Sequence, residues 1–503
     1  MRTLYLASEV LTLSYPPVGE WLLIDGRHVQ RVGTGEAPQA DRIVELPGTS
    51  ILPGFIDTHV HLTGTGIHHA SPELSRARSA ADVVAVVRKL AGEGDEPFLI
   101  HGYDESKWPD TRLPTVEELD GATRRPLLVI RVDGHASLAN TVALEATGAA
   151  EEPGMERDDA GAPTGFITRE ANNRVRRWFN RHLSDHDIQQ HQLRAAALAA
   201  SRGVTCVHEM SMPSERDLRD LEVLLGHRAR LPVDVVTYVA STDIPQVMDL
   251  RFGQIGGDLA IDGSIGARTA CLSRPYTDGE GNGAAYYPDD ELAEFLHNAH
   301  LAGLQAGVHA IGDGAIEQLL SVWERVYRAL DSRERRHFRA RRHRVEHFEM
   351  PSPQQIEKAA MLGLAVSIQP CFDAEWGHPG GLYDVRLGWD RASGMNPFRS
   401  LLDRGIEVGV GSDSPITDLD PMAAIEALEN HHDPAQRVWR GEAIRLATVG
   451  SARLAHQEDK KGSLEPGKHA DFAAYESDPL TAGSVVGLRP ILTVSLGREV
   501  YAS

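Results

Sequence analysis

From residue 97 to residue 415 the chain repeats one alternation: a short β-rich apolar run, then a stretch with helical spacing. The runs are PFLIHGY, PLLVIRVDGH, GVTCVHEM, VDVVTYVA, GDLAIDGS, LQAGVHAIGD, HRVEHFEM, LAVSIQP and IEVGVGSDSP. Among the connecting stretches, DIQQHQLRAAALAASRG, DDELAEFLHNAHLAG and AIEQLLSVWERVYRAL carry apolar residues at helical spacing, and two of them end near Gly. Strands separated by helices of this length predict a parallel α/β sheet or barrel. Polar residues end many of the runs: Asp133 and His135, His208 and Glu209, Asp262, His309 and Asp313, His347, and Asp413. In a (β/α)8 barrel the active site lies at the C-terminal ends of the strands, so these side chains are expected to face one cavity.

The run ILPGFIDTHVHL, residues 51 to 62, adds the sharpest chemical feature. It reads as a buried strand that ends in Asp57, His59 and His61. Side chains alternate across a strand, so His59 and His61 point the same way and converge on one point from a rigid backbone. A metal ion needs that arrangement. Neutral imidazole and carboxylate are ligands of Zn, Fe and Mn, and catalytic sites keep a position open for water. His59, His61, His309, His347 and Asp413 supply such a set. The bound ion lowers the pKa of its water, and a nearby carboxylate accepts and returns the proton, a role that suits Asp413.

The two chain ends have a different texture. TLYLASEVLTL and EWLLIDGRHVQRVG read as short strands with a hairpin turn at Asp25-Gly26. KKGSLEPGKHADFAAYESDPL and ILTVSLGREVYAS again read as strands and turns, so the two ends are expected to pair into one small β domain. The resulting division is 1–50 and 456–503 for that domain and 51–455 for the α/β unit, with an insertion around 70–195.

With 503 residues and 41% hydrophobic content the chain is too large for a small binding module. Its net charge of -21 argues against nucleic acid or an anionic membrane surface as a partner. Cys206, Cys271 and Cys371 are too few for a disulfide framework and fit a reducing compartment. The sequence offers neither a signal-peptide pattern nor an apolar stretch of spanning length, so a cytoplasmic location is expected. The basic stretch SRERRHFRARRHR reads as a solvated helix and loop, and His431 and His432 in ENHHDPAQ, being adjacent, read as pointing apart.

Taken in order, PGFIDTHVHL, HGYDESKWPD, RVDGHASLAN, GAPTGFITREA, GVTCVHEM, DGSIGARTACL, GVHAIGDGAI, RVEHFEM, GVGSDSPI and GSLEPGKHADF resemble the amidohydrolase superfamily across nearly the whole chain. The closer resemblance is to amidohydrolase family 3, the branch with the YtcJ-like proteins and N-substituted formamide deformylases. The resemblance implies a (β/α)8 barrel with a β-sandwich from both chain ends, holding one or two divalent metals, usually zinc. It matches His59 and His61 to first-strand ligands, His309 and His347 to later strand-end histidines, and Asp413 to the eighth-strand aspartate that also handles the water proton.

One position departs from the pattern. Members of this branch commonly carry a Lys shortly before the DGS turn, which can be carboxylated to bridge two metals. GGDLAIDGS offers Asp258 there, several atoms shorter, and Glu209 is a second acidic candidate. The expectation is therefore one metal held mainly by His59, His61, His309 and Asp413, with His347 as a further ligand or as a partner of the water and substrate oxygen. Asp258 is either a ligand or a solvated turn residue, and Glu209 either a ligand or an acid behind the ligands.

The substrate side is expected to draw on Tyr103, Trp108, Asp133 and His135, with Gln369 and Trp376 near the cavity floor or a lid. Arg268 either pairs with a substrate carboxylate or caps a helix. Small-molecule hydrolysis of a non-peptide carbon-nitrogen bond is the expected reaction, by attack of metal-activated water on an amide, N-formyl or N-acyl amine, or cyclic amide. The rivals are deamination of a heterocycle and a barrel that binds a ligand without catalysis. Analogy with this architecture suggests a homodimer.

Overall fold

The computed structural model describes residues 1–70, 72–92, 94–213 and 218–503. Strands β1 (Arg2–Leu11), β2 (Val18–Asp25), β3 (His28–Gly33) and β4 (Arg42–Pro53) open the chain, and β5 (Phe55–Val60) follows at once. Next come β6 (Phe98–Tyr103), β7 (Leu127–Arg131), β8 (Ala136–Ala139), β9 (Met155–Arg157) and β10 (Pro163–Thr168). The main alternation then runs through β11 (Val204–Ser211), β12 (Asp234–Val239), β13 (Gln254–Ile255), β14 (Gln305–Ala310), β15 (Arg344–His347), β16 (Ala365–Ile368) and β17 (Glu407–Val410). Strands β18 (Phe472–Tyr475), β19 (Leu492–Ser495) and β20 (Arg498–Ala502) close it.

The two ends do pair. They form one seven-stranded sheet, β20-β19-β18-β4-β1-β2-β3, in which β4 of the first end lies antiparallel to β18 of the last. Asp25 faces His28 across the β2–β3 hairpin, and Gly26 takes the left-handed backbone that the two-residue turn demands.

The central strands are parallel. β5, β11 and β12 form one sheet and β13 to β17 a second. Main-chain bonds link their edges: Gly256 N–H donates to Val239 O at 2.7 Å, Asp413 N–H to His59 O at 2.8 Å, and His61 N–H to Ser414 O at 2.9 Å. Every residue of β5, β11 and β14 is buried, the pattern of parallel strands covered on both faces. Helices Asp185–Ser201, Asp289–Leu301 and Asp313–Ala329 fall where their spacing predicted them, and Ser184 opens the first with a capping box to Asp187. Their inner faces, including Ala195, Ala199, Leu292, Leu296, Leu319 and Trp323, join one large apolar core with the parallel strands.

Two runs from the alternation belong elsewhere. PFLIHGY and PLLVIRVDGH are β6 and β7 of a separate five-stranded sheet, β6-β7-β8-β10-β9. Alternate residues of β7 serve two cores, Leu127 and Val129 on one face, Leu128 and Ile130 on the other. A continuous apolar run buried on both faces reads the same in either sheet, so sequence could not assign it. GDLAIDGS forms no strand beyond an isolated bridge from Ala260 to His309. The cause is the corner before it: Gly256 and Gly257 both have positive φ, and a Cβ on Gly256 would lie 2.1 Å from Gly307 O. This close passage drops Asp258 toward the ends of the neighbouring strands.

Candidate metal centre

His59 and His61, two apart at the end of β5, point to one place as the alternation requires. His59 donates its Nδ1–H to Glu346 at 2.9 Å, and His61 donates its Nδ1–H to Met210 O at 3.0 Å. Both rings therefore present Nε2 to the same pocket. Asp413 Oδ1 lies 3.4 Å from His59 Nε2 and 3.2 Å from His61 Nε2. Asp413 is held there by its own N–H and by Asp57, whose Oδ1 accepts from both His59 N and Ser412 N.

The Gly-Gly corner places Asp258 among four imidazoles. Its Oδ1 is 2.9 Å from His309 Nδ1, 3.6 Å from His347 Nε2 and 3.8 Å from His59 Nε2, and its Oδ2 is 3.5 Å from His61 Nε2. It is not a solvated turn residue: it is 7% exposed. His347 turns its Nδ1 to Gln369 Oε1 at 2.9 Å, which leaves Nε2 facing Asp258. Two overlapping ligand groups result, His59–His61–Asp413 and His59–Asp258–His347. His309 stands beside them, with Nδ1 on Asp258 and Nε2 directed at Gly263 O and Asp262.

Two observations fit a cation here. His59 Nε2 and Asp413 Oδ1 are fully buried and make no hydrogen bond; at ion-pair distance they face each other, His61 Nε2 and Asp258 Oδ1, an arrangement that a shared cation would satisfy. His347 and Asp413 also sit at positive φ, +70° and +54°, backbone that non-glycine residues adopt at a cost of about 1–3 kcal/mol and mainly where function requires it.

The charges are mutually adjusted. Burial favours the protonated form of Asp413, but the His59 and His61 imidazoles outweigh it and hold the carboxyl below its usual range. Asp258 is held well below, because His309 and His347 overcome its burial. Burial opposes protonation of His61 and His309, yet the carboxylates raise both to about 9: Asp413 and Asp258 for the first, Asp258 and Asp262 for the second. His347 moves down, through burial and the neighbouring His309.

Behind the ligands lies a layer that sequence reasoning missed. Glu346, the partner of His59, is wholly buried and takes two bonds from Arg344, at 2.8 and 2.7 Å. Burial opposes its ionisation, but Arg344 and His59 hold it at about 2. The signal was present in RVEH: Arg and Glu two apart share a strand face, opposite the intervening Val345 and the following His347. Glu209 accepts from Leu62 N at 2.7 Å and stands behind His61. His208, its neighbour on β11, faces Arg344 at 2.9 Å, away from the ligands.

A cavity of about 490 Å³ opens over the ligands, and Asp133, His135 and Trp376 line it together with Glu349 and Tyr383. Asp133 and His135 reach it from the turn between β7 and β8, in the five-stranded sheet, and not from a strand of the main alternation. The His135 ring lies 5.8 Å from that of His309. Four expected site residues stand elsewhere. Tyr103 and Trp108 pack in the core of the five-stranded sheet. Arg268 neither meets the cavity nor caps a helix; it makes two bonds with Asp278, at 3.0 and 2.7 Å. Gln369 orients His347 and does not line the cavity. Asp262 and Asp313 are spent as well, the first on the N–H groups of Cys271, Ile311 and Gly312, the second on Ser273.

Parallel strands whose C-terminal ends gather histidines and aspartates around two buried atoms that make no hydrogen bond form a candidate metal site. The chain belongs to the amidohydrolase family, whose model matches residues 42–501. It is 27% identical to the putative amidohydrolase YtcJ of Bacillus subtilis, over 88% of this chain and 87% of that one. It is 25% identical to the N-substituted formamide deformylase of Arthrobacter pascens, over 91% of this chain and 90% of that one. Among solved structures, an uncharacterized metal-dependent hydrolase from Pyrococcus horikoshii superposes with a TM-score of 0.76 at 26% identity, covering 97% of this chain and all of that one.

Proposed function

We propose that the chain hydrolyses a carbon-nitrogen bond other than a peptide bond, in an amide, an N-formyl or N-acyl amine, or a cyclic amide. The observation that carries the reading is the pair of buried ligand atoms that make no hydrogen bond, His59 Nε2 and Asp413 Oδ1, beneath a cavity of small-molecule size that His61, Asp258, His347 and Asp413 line. The deformylase relative supplies the bond class by likeness. In the same reading the eight parallel strands are a (β/α)8 barrel and the terminal sheet is the β-sandwich of the family, with divisions near residues 50 and 455 and an insertion around 70–195.

His59, His61 and Asp413 would hold a divalent ion, zinc before iron or manganese, with Asp258, His347 and His309 against it. When bound, such an ion polarises the scissile carbonyl and acidifies water. The remaining work belongs to the protein. Asp413 is ionised at neutral pH, so it takes the proton of the attacking water and passes it to the leaving nitrogen. His135, on the cavity wall opposite, donates to the developing oxyanion. Glu346 and Gln369 keep His59 and His347 in the tautomers that turn Nε2 to the site.

A panel of N-formyl and N-acyl amines, scored for released amine, tests the bond class, and ammonia release from heterocycles with no cleavage of the amides would replace it with deamination. Elemental analysis of the native chain and of Asp258→Ala tests the ligand set. About one equivalent in both supports a single ion. Two equivalents falling to one in the variant would make Asp258 a bridging ligand.

A further inference from the structure

The cavity wall beyond the ligands contains a carboxylate that the hydrolytic scheme leaves unused. Seven acidic residues line the cavity, and six are accounted for. Asp258 and Asp413 belong to the ligand cluster. Asp133 is neutralised by Arg131 at 2.7 Å and bonded by Ser264 at 2.8 Å. Asp220 is spent on Thr63 and Gln192, Glu209 accepts from Leu62 N, and Glu170 is exposed at the rim.

Glu349 is different. It is 3% exposed, its Oε2 accepts from the Tyr383 hydroxyl at 2.7 Å, and no cation pairs with it among the described residues. Its other oxygen is left as a free acceptor on the cavity side. The cationic side chains of the wall pair elsewhere or stand at the rim: Arg131 with Glu105 and Asp133, Arg176 with Gly134 O, His61 with Asp413, His309 with Asp258, and Arg169 exposed at the rim.

Aromatic rings line the same cavity wall. Phe372 stacks on His347 at 6.0 Å, Trp376 lies 4.9 Å from Phe372, and Tyr383 lies 6.0 Å from Trp376. A buried carboxylate beside aromatic faces is the chemistry that recognises an organic ammonium group, by charge pairing and by attraction to the ring faces. An ammonium group placed there would supply the charge partner that no described residue gives Glu349 within ion-pair distance. The net charge of -21 also draws cations toward the molecule.

We propose that Glu349, with Tyr383, Trp376 and Phe372, forms a subsite for an ammonium group on the substrate, so that the preferred substrates are amides that carry a second, cationic nitrogen. This rests on the hydrolase reading for the word substrate, but the subsite itself is tested by binding alone. The probes are choline and its uncharged carbon isostere 3,3-dimethyl-1-butanol, titrated calorimetrically into the metal-loaded protein and into Glu349→Gln. The native chain binds choline about tenfold more tightly than the isostere. Glu349→Gln, with an unchanged melting temperature, binds the two alike. Equal binding of both probes by the native chain overturns the subsite, as does a preference for choline that Glu349→Gln retains in full, which would mean that the cavity wall and not the Glu349 charge is read. Cleavage of N-formyl amines without a preference for ammonium-bearing members would leave the hydrolase reading standing and remove the subsite. Choline preference without cleavage of any amide would do the reverse.

Discussion

Two histidine clusters in this molecule invite comparison, one at the ends of the parallel strands and one beside helix Pro421–Glu429. In the second, His431 and His432 lie with their rings 4.4 Å apart against Asp373, although adjacency in sequence suggested that they point apart. The helix ends at Asn430, so helical geometry does not govern them. Every ring nitrogen there has a partner: His431 Nε2 on Asn396 O at 2.9 Å, its Nδ1 on Asp433 N at 3.0 Å, His432 Nδ1 on Asp373, and its Nε2 on Ser393 O at 3.1 Å. The strand-end cluster has no such closure at His59 Nε2 or Asp413 Oδ1. Both clusters have the spacing of a metal site, and only one has lone pairs to give. Proximity of ligand types marks a candidate; unsatisfied valence separates a site from a structural network.

The comparison breaks most directly by removing one imidazole from each cluster. His59→Ala abolishes metal retention and turnover, while His431→Ala keeps both, as read by elemental analysis and amide cleavage. Metal retained in His59→Ala would overturn the distinction. Next in size, Asp413→Asn keeps the side-chain shape but removes the base, and kcat falls by about 10²–10⁴-fold. Glu346→Gln deprives His59 of a charged acceptor and Arg344 of its counterion, and chelator competition reads a loss of about 10–100-fold in metal affinity. The pH dependence follows from His61 and His309. Both are raised to about 9 in the metal-free protein, so an ion must displace their protons at neutral pH. Affinity therefore falls as pH drops below about 9, by about tenfold per unit for each proton displaced, and levels off above it. Asp373→Ala has the smallest functional effect: melting records a loss of about 1–3 kcal/mol from the unpaired His432, with metal content unchanged.

Much of the fold was legible because it rests on periodicity. The parallel α/β alternation, three helices and the pairing of the two chain ends all follow from apolar spacing and turn residues. The assignment of β6 and β7 to a separate sheet was not legible, because a strand buried on both faces carries no mark of which sheet buries it. Within the candidate site, residue types brought forward His59, His61, His309, His347 and Asp413, which the fold brings together, and Asp133 and His135, which line the cavity. They misplaced Tyr103, Trp108 and Arg268, since an aromatic or an arginine near a strand end serves a core or an ion pair as readily as a ligand. Glu346 escaped notice for the opposite reason: its importance lies in its partner His59, hundreds of residues away in the chain.

What the sequence determined by itself is chemistry and period: which side chains can hold a cation, and that two of them leave one strand on one side. Tertiary structure decided which atoms are left without partners. Asp258 shows the reason. Its carboxylate is short, and from sequence a short side chain at a glycine corner reads as a turn. Only the close passage of Gly256 over Gly307 brings its backbone near enough to reach four imidazoles, and that distance is set by strands far apart in the chain, not by anything local to Asp258.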